Sequence, residues 1–171
     1  MDAREFEKVF WVLQPQLLRH ARHQLDPAGA EDVVAETLTT LWVKSLPLPT
    51  SDDEERGLRA LAYQVLGGHI RNEYRSRRRR RALAERVVAQ PVDGIARDVS
   101  PDDVDDDGAI RHWLGQLSVD DREVILLFNA GFDLAESARI LGCSFSAAAK
   151  RRTRARERLR AIVERERGRQ Q

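Results

Sequence analysis

The chain has 171 residues, of which 29 are Lys or Arg and 28 are Asp or Glu, and its formal net charge at pH 7 is +1. This length holds one ordinary domain or two small helical ones. Cys143 is the single cysteine, which excludes an intramolecular disulfide and a zinc site with several cysteine ligands. No apolar run approaches the roughly 18 residues of a membrane-spanning helix, and no leader of charged and then apolar residues precedes the first helix. The sequence therefore predicts a soluble, cytoplasmic protein without membrane insertion.

Two helices are predicted in the first 43 residues. Apolar residues three and four apart, from Phe6 to Leu25, indicate the first helix, with Pro15 as an irregularity within it. A second helix is predicted from Ala30 to Val43, and Asp32 and Glu36 lie one turn apart on a face away from its apolar side. The residues predicted to be buried on this second helix are Val34, Leu38, Leu41 and Trp42.

A third helix is predicted from Leu58 into a cluster of arginines. Residues 45–57, SLPLPTSDDEERG, indicate a Pro-rich, acidic loop before it. Gly67 and Gly68 are expected to interrupt the helix, at a cost of about 2 kcal/mol relative to two alanines, and indicate close approach of another group there. Residues 71–81 contain seven Arg and the single acid Glu73, which predicts a cationic surface.

An acidic segment divides the chain. Residues 91–108 contain seven Asp, the single basic residue Arg97 and few large apolar residues, which predicts a linker without a core. We therefore expect an all-α fold with two small helical domains, residues 1–90 and 109–171, joined by a flexible acidic linker. In the second domain, Ser118 with Asp121 is predicted to cap a helix that contains the buried run 124–128.

Residues 134–159 have the form of a helix-turn-helix. Asp133 is a predicted N-cap, and a short apolar helix then ends at Gly142, which tolerates the left-handed conformation. Ser144 is predicted to cap the next helix. Residues 150–160 of that helix contain seven basic residues and one acid, Glu157, so its own ion pairs cannot neutralise it. Arginine-rich helices after such a turn are typical of docking in the major groove of DNA.

No residue pattern indicates an enzyme. His20 and His23 lie three residues apart on a predicted helix, but no further His or Cys is near them in sequence, so packing or solvation is favoured over metal binding. Asp32 and Glu36 have no nucleophile or His partner in a comparable position, which favours a docking surface or plain solvation over acid and base catalysis. We expect no catalytic residue, no metal site and no cofactor.

Two strings in the chain resemble one known family, the extracytoplasmic-function group of bacterial RNA polymerase sigma factors. Residues 30–42, AEDVVAETLTTLW, are similar to the polymerase-binding helix of the family's second conserved region. Residues 117–159, LSVDDREVILLFNAGFDLAESARILGCSFSAAAKRRTRARERL, are similar to its fourth region. The strings occur in the family's order on either side of an acidic linker, so the resemblance covers most of the chain.

The resemblance implies an alternative sigma factor that binds core RNA polymerase and directs promoter-specific initiation, with an anti-sigma factor as a further partner. Asp32 and Glu36 would bind the polymerase, and the third helix would contact the minus-ten element. In the recognition helix, Ala149, Lys150, Thr153 and Arg154 would face the minus-thirty-five groove. The backbone near Ser146 and Ala147 would bind phosphate. Arg151 and Arg158 would lie at packing or phosphate positions.

The third helix differs from the family at two positions. Leu61 and Gly68 occur where the family often has an aromatic residue and an Asn. The side chains then available for an unpaired strand are His69, Arg71, Asn72, Tyr74 and Arg75, with Tyr74 as a stacking face. Two other functions remain open: a stand-alone helix-turn-helix regulator whose N-terminal half dimerises, and a sigma-like adaptor that binds polymerase or an anti-sigma partner without opening promoters.

Overall fold

The structure, a computed structural model, describes residues 2–87 and 106–169, and all regular elements in these two ranges are helices. The helices are α1 (Ala3–Arg22), α2 (Pro27–Val43), α3 (Asp52–Val87), α4 (Asp106–Gly115), α5 (Val119–Asn129), α6 (Leu134–Leu141) and α7 (Phe145–Arg169). The predicted all-α class is confirmed. Most of the predicted acidic linker, residues 91–105, lies outside the described residues. Among those described, no helix is long and apolar enough to cross a membrane.

Helices α1, α2 and α3 pack together and form what we call the N-terminal module. Its centre consists of apolar side chains with at most 1% of their surface exposed, among them Leu17, Leu41 and Leu66. Pro15 lies inside α1 without ending it. The predicted burial of Trp42 is wrong, because 40% of its surface is exposed. Its ring lies near the end of α2 and contacts the Phe6 ring edge to face.

Helix α3 differs from the sequence prediction at its start and near its middle. It begins at Asp52 and not at Leu58, because Ser51 and Glu54 supply hydrogen bonds across the first turn and four acids lie at its positive N-terminal end. It also continues through Gly67 and Gly68 without interruption. A Cβ on Gly67 would lie 3.4 Å from the carboxylate of Glu123, so the close approach expected there is made by α5.

Helices α4 to α7 form what we call the C-terminal module. Its separate core consists of Leu114, Leu117, Leu126 and Ile162. The Arg122 guanidinium lies beneath α4 and donates to the carbonyl oxygens of Leu114, Gly115 and Leu117 at 2.8, 3.2 and 3.2 Å. It thereby satisfies carbonyls at the end of α4 that have no partner within the helix. The predicted Ser118 cap is confirmed, since Ser118 Oγ accepts from the backbone N–H of Asp121 at 3.2 Å.

The two modules pack against each other. Leu127, Phe132 and Ile140 of the C-terminal module belong to the same buried cluster as the core of α1 to α3. The Phe132 ring lies 4.9 Å from the Tyr63 ring, edge to face, and the Arg59 guanidinium lies 4.5 Å from the Phe132 centroid. Arg59 also donates to the carbonyl of Ala130. The described residues therefore form one packed body in which α5, the turn after it and α6 lie on α1 and α3.

Candidate nucleic-acid interface

The helix-turn-helix predicted from the sequence is formed by α6, a tight turn and α7. Asp133 and Glu136 make reciprocal hydrogen bonds of 2.8 and 2.7 Å to each other's backbone N–H, which starts α6. Gly142 ends it with φ of 63°, a left-handed conformation that glycine adopts at low cost. Ser144 Oγ then accepts from the backbone N–H of Ala147 at 3.2 Å at the start of α7. All three predicted caps are confirmed.

One side of α7 is packed and the other is open. Ala148, Ala155 and Ile162, seven residues apart, are buried against the rest of the C-terminal module. Most of the residues predicted to bind DNA are exposed, namely Ser146, Ala147, Lys150, Thr153, Arg154 and Arg158, whereas Ala149 and Arg151 are half-buried. The open side is therefore cationic and carries the small residues Ser146 and Ala147 at its N-terminal end.

Asp121 on α5 joins the edge of this open side to the rest of the module. Its side chain is 0% exposed and lies beneath α7, where Oδ1 is 3.3 Å from Arg154 Nη2 and Oδ2 accepts from Arg158 Nη1. Burial alone would raise the pKa of Asp121, but hydrogen bonds with Ser118, Arg158 and Arg154 outweigh it and lower that pKa. The sequence indicated only a capping role for this residue. Its pairing depends on the packing of α5 on α7, which spacing along the chain does not reveal.

The acidic pair on α2 lies on an exposed ridge. Asp32 and Glu36 are both exposed, and Glu36 Oε2 is 2.9 Å from His69 Nδ1 on α3. The other ring nitrogen of His69 lies 3.3 Å from Thr40 Oγ1, so His69 is bound to α2 on both sides. Between α2 and α3 runs a groove of about 600 Å³, lined by Asp32, Glu36, His69, Asn72, Glu73 and Arg79 among others.

The five residues predicted to act at the minus-ten element lie in three different settings. Asn72 and Arg75 are exposed, and His69 is held by α2 as described above. Tyr74, expected to offer a stacking face, is half-buried between the modules. Its hydroxyl donates to the carbonyl of Gln24 and accepts from Arg122 Nη1 at 2.9 Å. Arg71 is half-buried, and its charge acts on the carboxylate of Glu123.

A buried polar network adjoins Tyr74 at the module contact. Glu123 of α5 lies 3.2 and 3.3 Å from His20 Nε2 of α1, and it accepts from Gln24 Nε2. Burial alone would raise the pKa of Glu123, but His20, Gln24 and the charge of Arg71 outweigh this effect and lower it. His20 therefore serves the module contact. In the ranges that the structure describes, no group of three or more potential metal ligands occurs.

Some of the arginines on α3 are also engaged within the protein. Arg77 donates to Glu73 Oε1 at 2.6 Å and to Asp26, the residue before α2. Gly29 permits this contact, because a Cβ there would lie 2.5 Å from Arg77 Nη2. Arg80 is 3.1 Å from Glu73, while Arg78, Arg79 and Arg81 are exposed. The cationic surface of α3 is therefore supplied mainly by Arg78, Arg79 and Arg81.

The chain combines a three-helix module that has an acidic ridge with a helix-turn-helix that has a cationic recognition helix. This combination is typical of a DNA-binding protein that acts in transcription. The family model of sigma-70 region 4 matches residues 107–159. The chain is similar to the sigma factor RpoE from Bartonella quintana, solved with the anti-sigma factor NepR, at 26% identity, a TM-score of 0.68 and coverage of 95% of this chain and 98% of that one. It is also similar to CnrH, solved with the cytosolic domain of CnrY, at 25% identity, a TM-score of 0.67 and coverage of 95% and 90%. No curated protein sequence matches the chain significantly. These findings identify the chain as an alternative sigma factor with a sigma-70 region 4, and it is similar to the extracytoplasmic-function group.

Proposed function

We propose that this sigma factor uses residues 1–90 to bind core RNA polymerase and the minus-ten element, and residues 109–171 to bind the minus-thirty-five element. The observation that carries the proposal is the open, cationic side of α7, the second helix of a capped helix-turn-helix. Sigma factors are not enzymes, so the polymerase supplies the nucleotide chemistry. The site of action is then the bacterial cytoplasm.

The polymerase contact is assigned to Asp32 and Glu36. Both carboxylates are exposed on α2, and their neighbours Ala35 and Thr39 on the same ridge are small enough to leave the helix surface accessible. An acidic helix of this kind suits a basic or polar helical surface on the largest polymerase subunit. Glu36 contacts His69 within the protein, so the carboxylate of Asp32 is the more available of the two for the polymerase.

The minus-ten contact is assigned to α3 and requires the modules to separate. Asn72 and Arg75 are accessible as the chain stands, but Tyr74 can stack on an unpaired base only after Arg122 has moved away from its hydroxyl. Binding to the polymerase is the step that we expect to separate them. If the modules stay together there, the adaptor function is favoured instead, because Tyr74 and Arg71 remain at the module contact.

The minus-thirty-five contact is assigned to the open side of α7. Lys150, Thr153 and Arg154 lie there with Ala149 at its border, and the backbone N–H groups near Ser146 and Ala147 suit phosphate at the N-terminus of the helix. Arg158 is at the edge beside Asp121 and suits a phosphate contact, as does half-buried Arg151.

An anti-sigma factor is the further partner that we propose. The structure of RpoE contains its anti-sigma factor NepR, and that of CnrH contains part of CnrY. A protein that covered the α2 ridge or held the two modules together would prevent the polymerase contact. We expect such a partner to compete with core polymerase for this chain.

The proposal is tested by association with core polymerase. Asp32→Lys with Glu36→Lys should abolish co-purification of the full chain with core enzyme and leave its circular dichroism spectrum unchanged. The control is Glu7→Lys, which reverses an exposed acid of α1 in the same module and should co-purify like the wild type. Co-purification of the folded Asp32 and Glu36 variant at the wild-type level would overturn the assignment. A wild-type chain that binds no core enzyme would favour a stand-alone regulator.

A further inference from the structure

Asp121 occupies an unusual position for an acidic residue in a DNA-binding module. Its carboxylate is completely buried, yet both of its arginine partners belong to the helix that we assign to DNA contact. The neighbouring acid Asp120 is exposed and has no arginine partner among the ion pairs of the described residues. The two acids thus differ in setting although they are adjacent in the first turn of α5.

The two partners lie in a row on the open side of α7. Lys150, Arg154 and Arg158 are four residues apart, so they follow one another along the side of the helix that borders α5. Arg154 and Arg158 keep 56% and 54% of their side-chain surface exposed while they contact Asp121. A guanidinium has five N–H donors in a planar fork, and the Asp121 contact uses only part of each fork. The remaining donors of both arginines are available to an outside anion or to a base edge.

Stability alone gives little reason for this arrangement. Ion pairs with an exposed partner contribute little to folding, and burying a carboxylate costs desolvation energy that its partners must offset. The carboxylate does, however, remove the free rotation of two long side chains. An arginine whose fork is already oriented loses less conformational entropy when it binds a planar acceptor.

We propose that Asp121 is a positioning residue that holds Arg154 and Arg158 in the orientation in which α7 recognises promoter DNA. The inference rests on the proposed function. Asp121 also neutralises positive charge at the edge of α7, which weakens sequence-independent attraction to phosphates. Its two effects therefore favour discrimination between sequences over general affinity for DNA.

The test compares Asp121→Asn with Asp120→Asn in the full chain assembled with core RNA polymerase. The probes are a duplex enriched by the wild-type holoenzyme from a library randomised around the minus-thirty-five position, and a shuffled version of it. D121N should lower the ratio of the two affinities by roughly fivefold to a hundredfold, the worth of one well-oriented base contact. It should also steepen the salt dependence of shuffled-duplex binding by about 1. D120N removes the same charge and should leave the affinity ratio within about twofold of the wild type. D121E, which keeps the charge, should restore part of the ratio.

The outcomes separate the inference from the proposed function. A wild-type holoenzyme that enriches no sequence would overturn the proposed function and this inference with it. A folded D121N variant whose affinity ratio and salt dependence equal those of D120N would overturn the inference alone. Should D121N fail to fold, nitrogen-15 NMR of the wild-type arginine side chains, assigned with Arg154→Lys and Arg158→Lys, decides the matter. Slow rotation of both guanidinium groups is expected, and free rotation of both would overturn the inference.

Discussion

The contact between Glu123 and His20 should hold the two modules together, and Glu123→Ala is the change that tests it. Glu123 is buried, and its carboxylate contacts His20 and Gln24 of α1 while Arg71 of α3 acts on it from the other side. Removing a buried hydrogen-bonding partner costs about 1 to 3 kcal/mol, because the groups left behind stay buried without their counterpart. We expect the free energy of unfolding of the full chain to fall by this amount.

The assay is urea unfolding at pH 7, followed by circular dichroism, on the wild type, E123A, His20→Ala and the double variant. If the two side chains interact directly, the double variant should lose about 1 to 3 kcal/mol less than the sum of the single losses. Glu157→Ala, at an exposed acid of α7, is the control and should change stability by less than about 0.5 kcal/mol. Additive losses from E123A and H20A would refute the direct contact.

The same contact predicts a pH dependence. The pKa of Glu123 is lowered in the folded chain from its ordinary value of 4.5, so the unfolded chain binds the proton more readily. The stabilising contribution of Glu123 is therefore complete above about pH 4.5 and is lost as the pH falls through the lowered pKa. Between pH 7 and pH 3 the wild type should lose more stability than Glu123→Gln, and equal losses would contradict this reasoning.

Three pairs of substitutions test separate parts of the account. Gly68→Ala should raise the free energy of unfolding by up to about 1 kcal/mol, since nothing lies within 4 Å of a Cβ there. Gly67→Ala should raise it less, because its Cβ would lie 3.4 Å from Glu123 and from Arg71. Equal gains in urea unfolding would contradict the packing of α5 on α3. Asn72→Ala and Tyr74→Ala should impair strand opening, monitored by permanganate reactivity of unpaired thymines, more than they impair duplex binding, and wild-type opening in both would direct the search to residues 45–57. Lys150→Ala should relax the preference at one base position, at a cost of roughly 1 to 3 kcal/mol in binding. Arg151→Ala should weaken binding to all sequences alike and lower the salt slope by about 1. Identical behaviour of the two variants would contradict their assignments.

Local features of the molecule were the ones that the sequence predicted well. Asp133, Gly142 and Ser144 act on backbone groups within a few residues of themselves, so their roles follow from residue type and spacing. The exposure of Asp32 and Glu36 follows similarly from the apolar periodicity of α2. The sequence predicts the start of α3 too late, because an acidic, Pro-rich segment is typical of a loop, although acids at this end also stabilise a helix.

Contacts between distant parts of the chain were not predictable in the same way. The sequence predicts Tyr74 as a stacking face but not that Arg122, 48 residues later in the chain, donates to its hydroxyl. Gly67 suits the helix because α5 lies against it, and helical propensity alone indicated a break there. Asp121 is another such case, since its partners lie 33 and 37 residues away. Each of these depends on how helices pack, and the sequence pattern predicts only that they pack.

Run-off transcription with core RNA polymerase and a library of promoters tests the central claim most directly. If the chain is a promoter-directing sigma factor, holoenzyme made with it should yield transcripts from a subset of templates. Those templates should share one sequence near minus thirty-five and another near minus ten. Transcription should be lost with the D32K and E36K variant and kept with the E7K control. A chain that binds core polymerase but yields no transcript and no permanganate-reactive thymine on any template would contradict the claim and identify an adaptor.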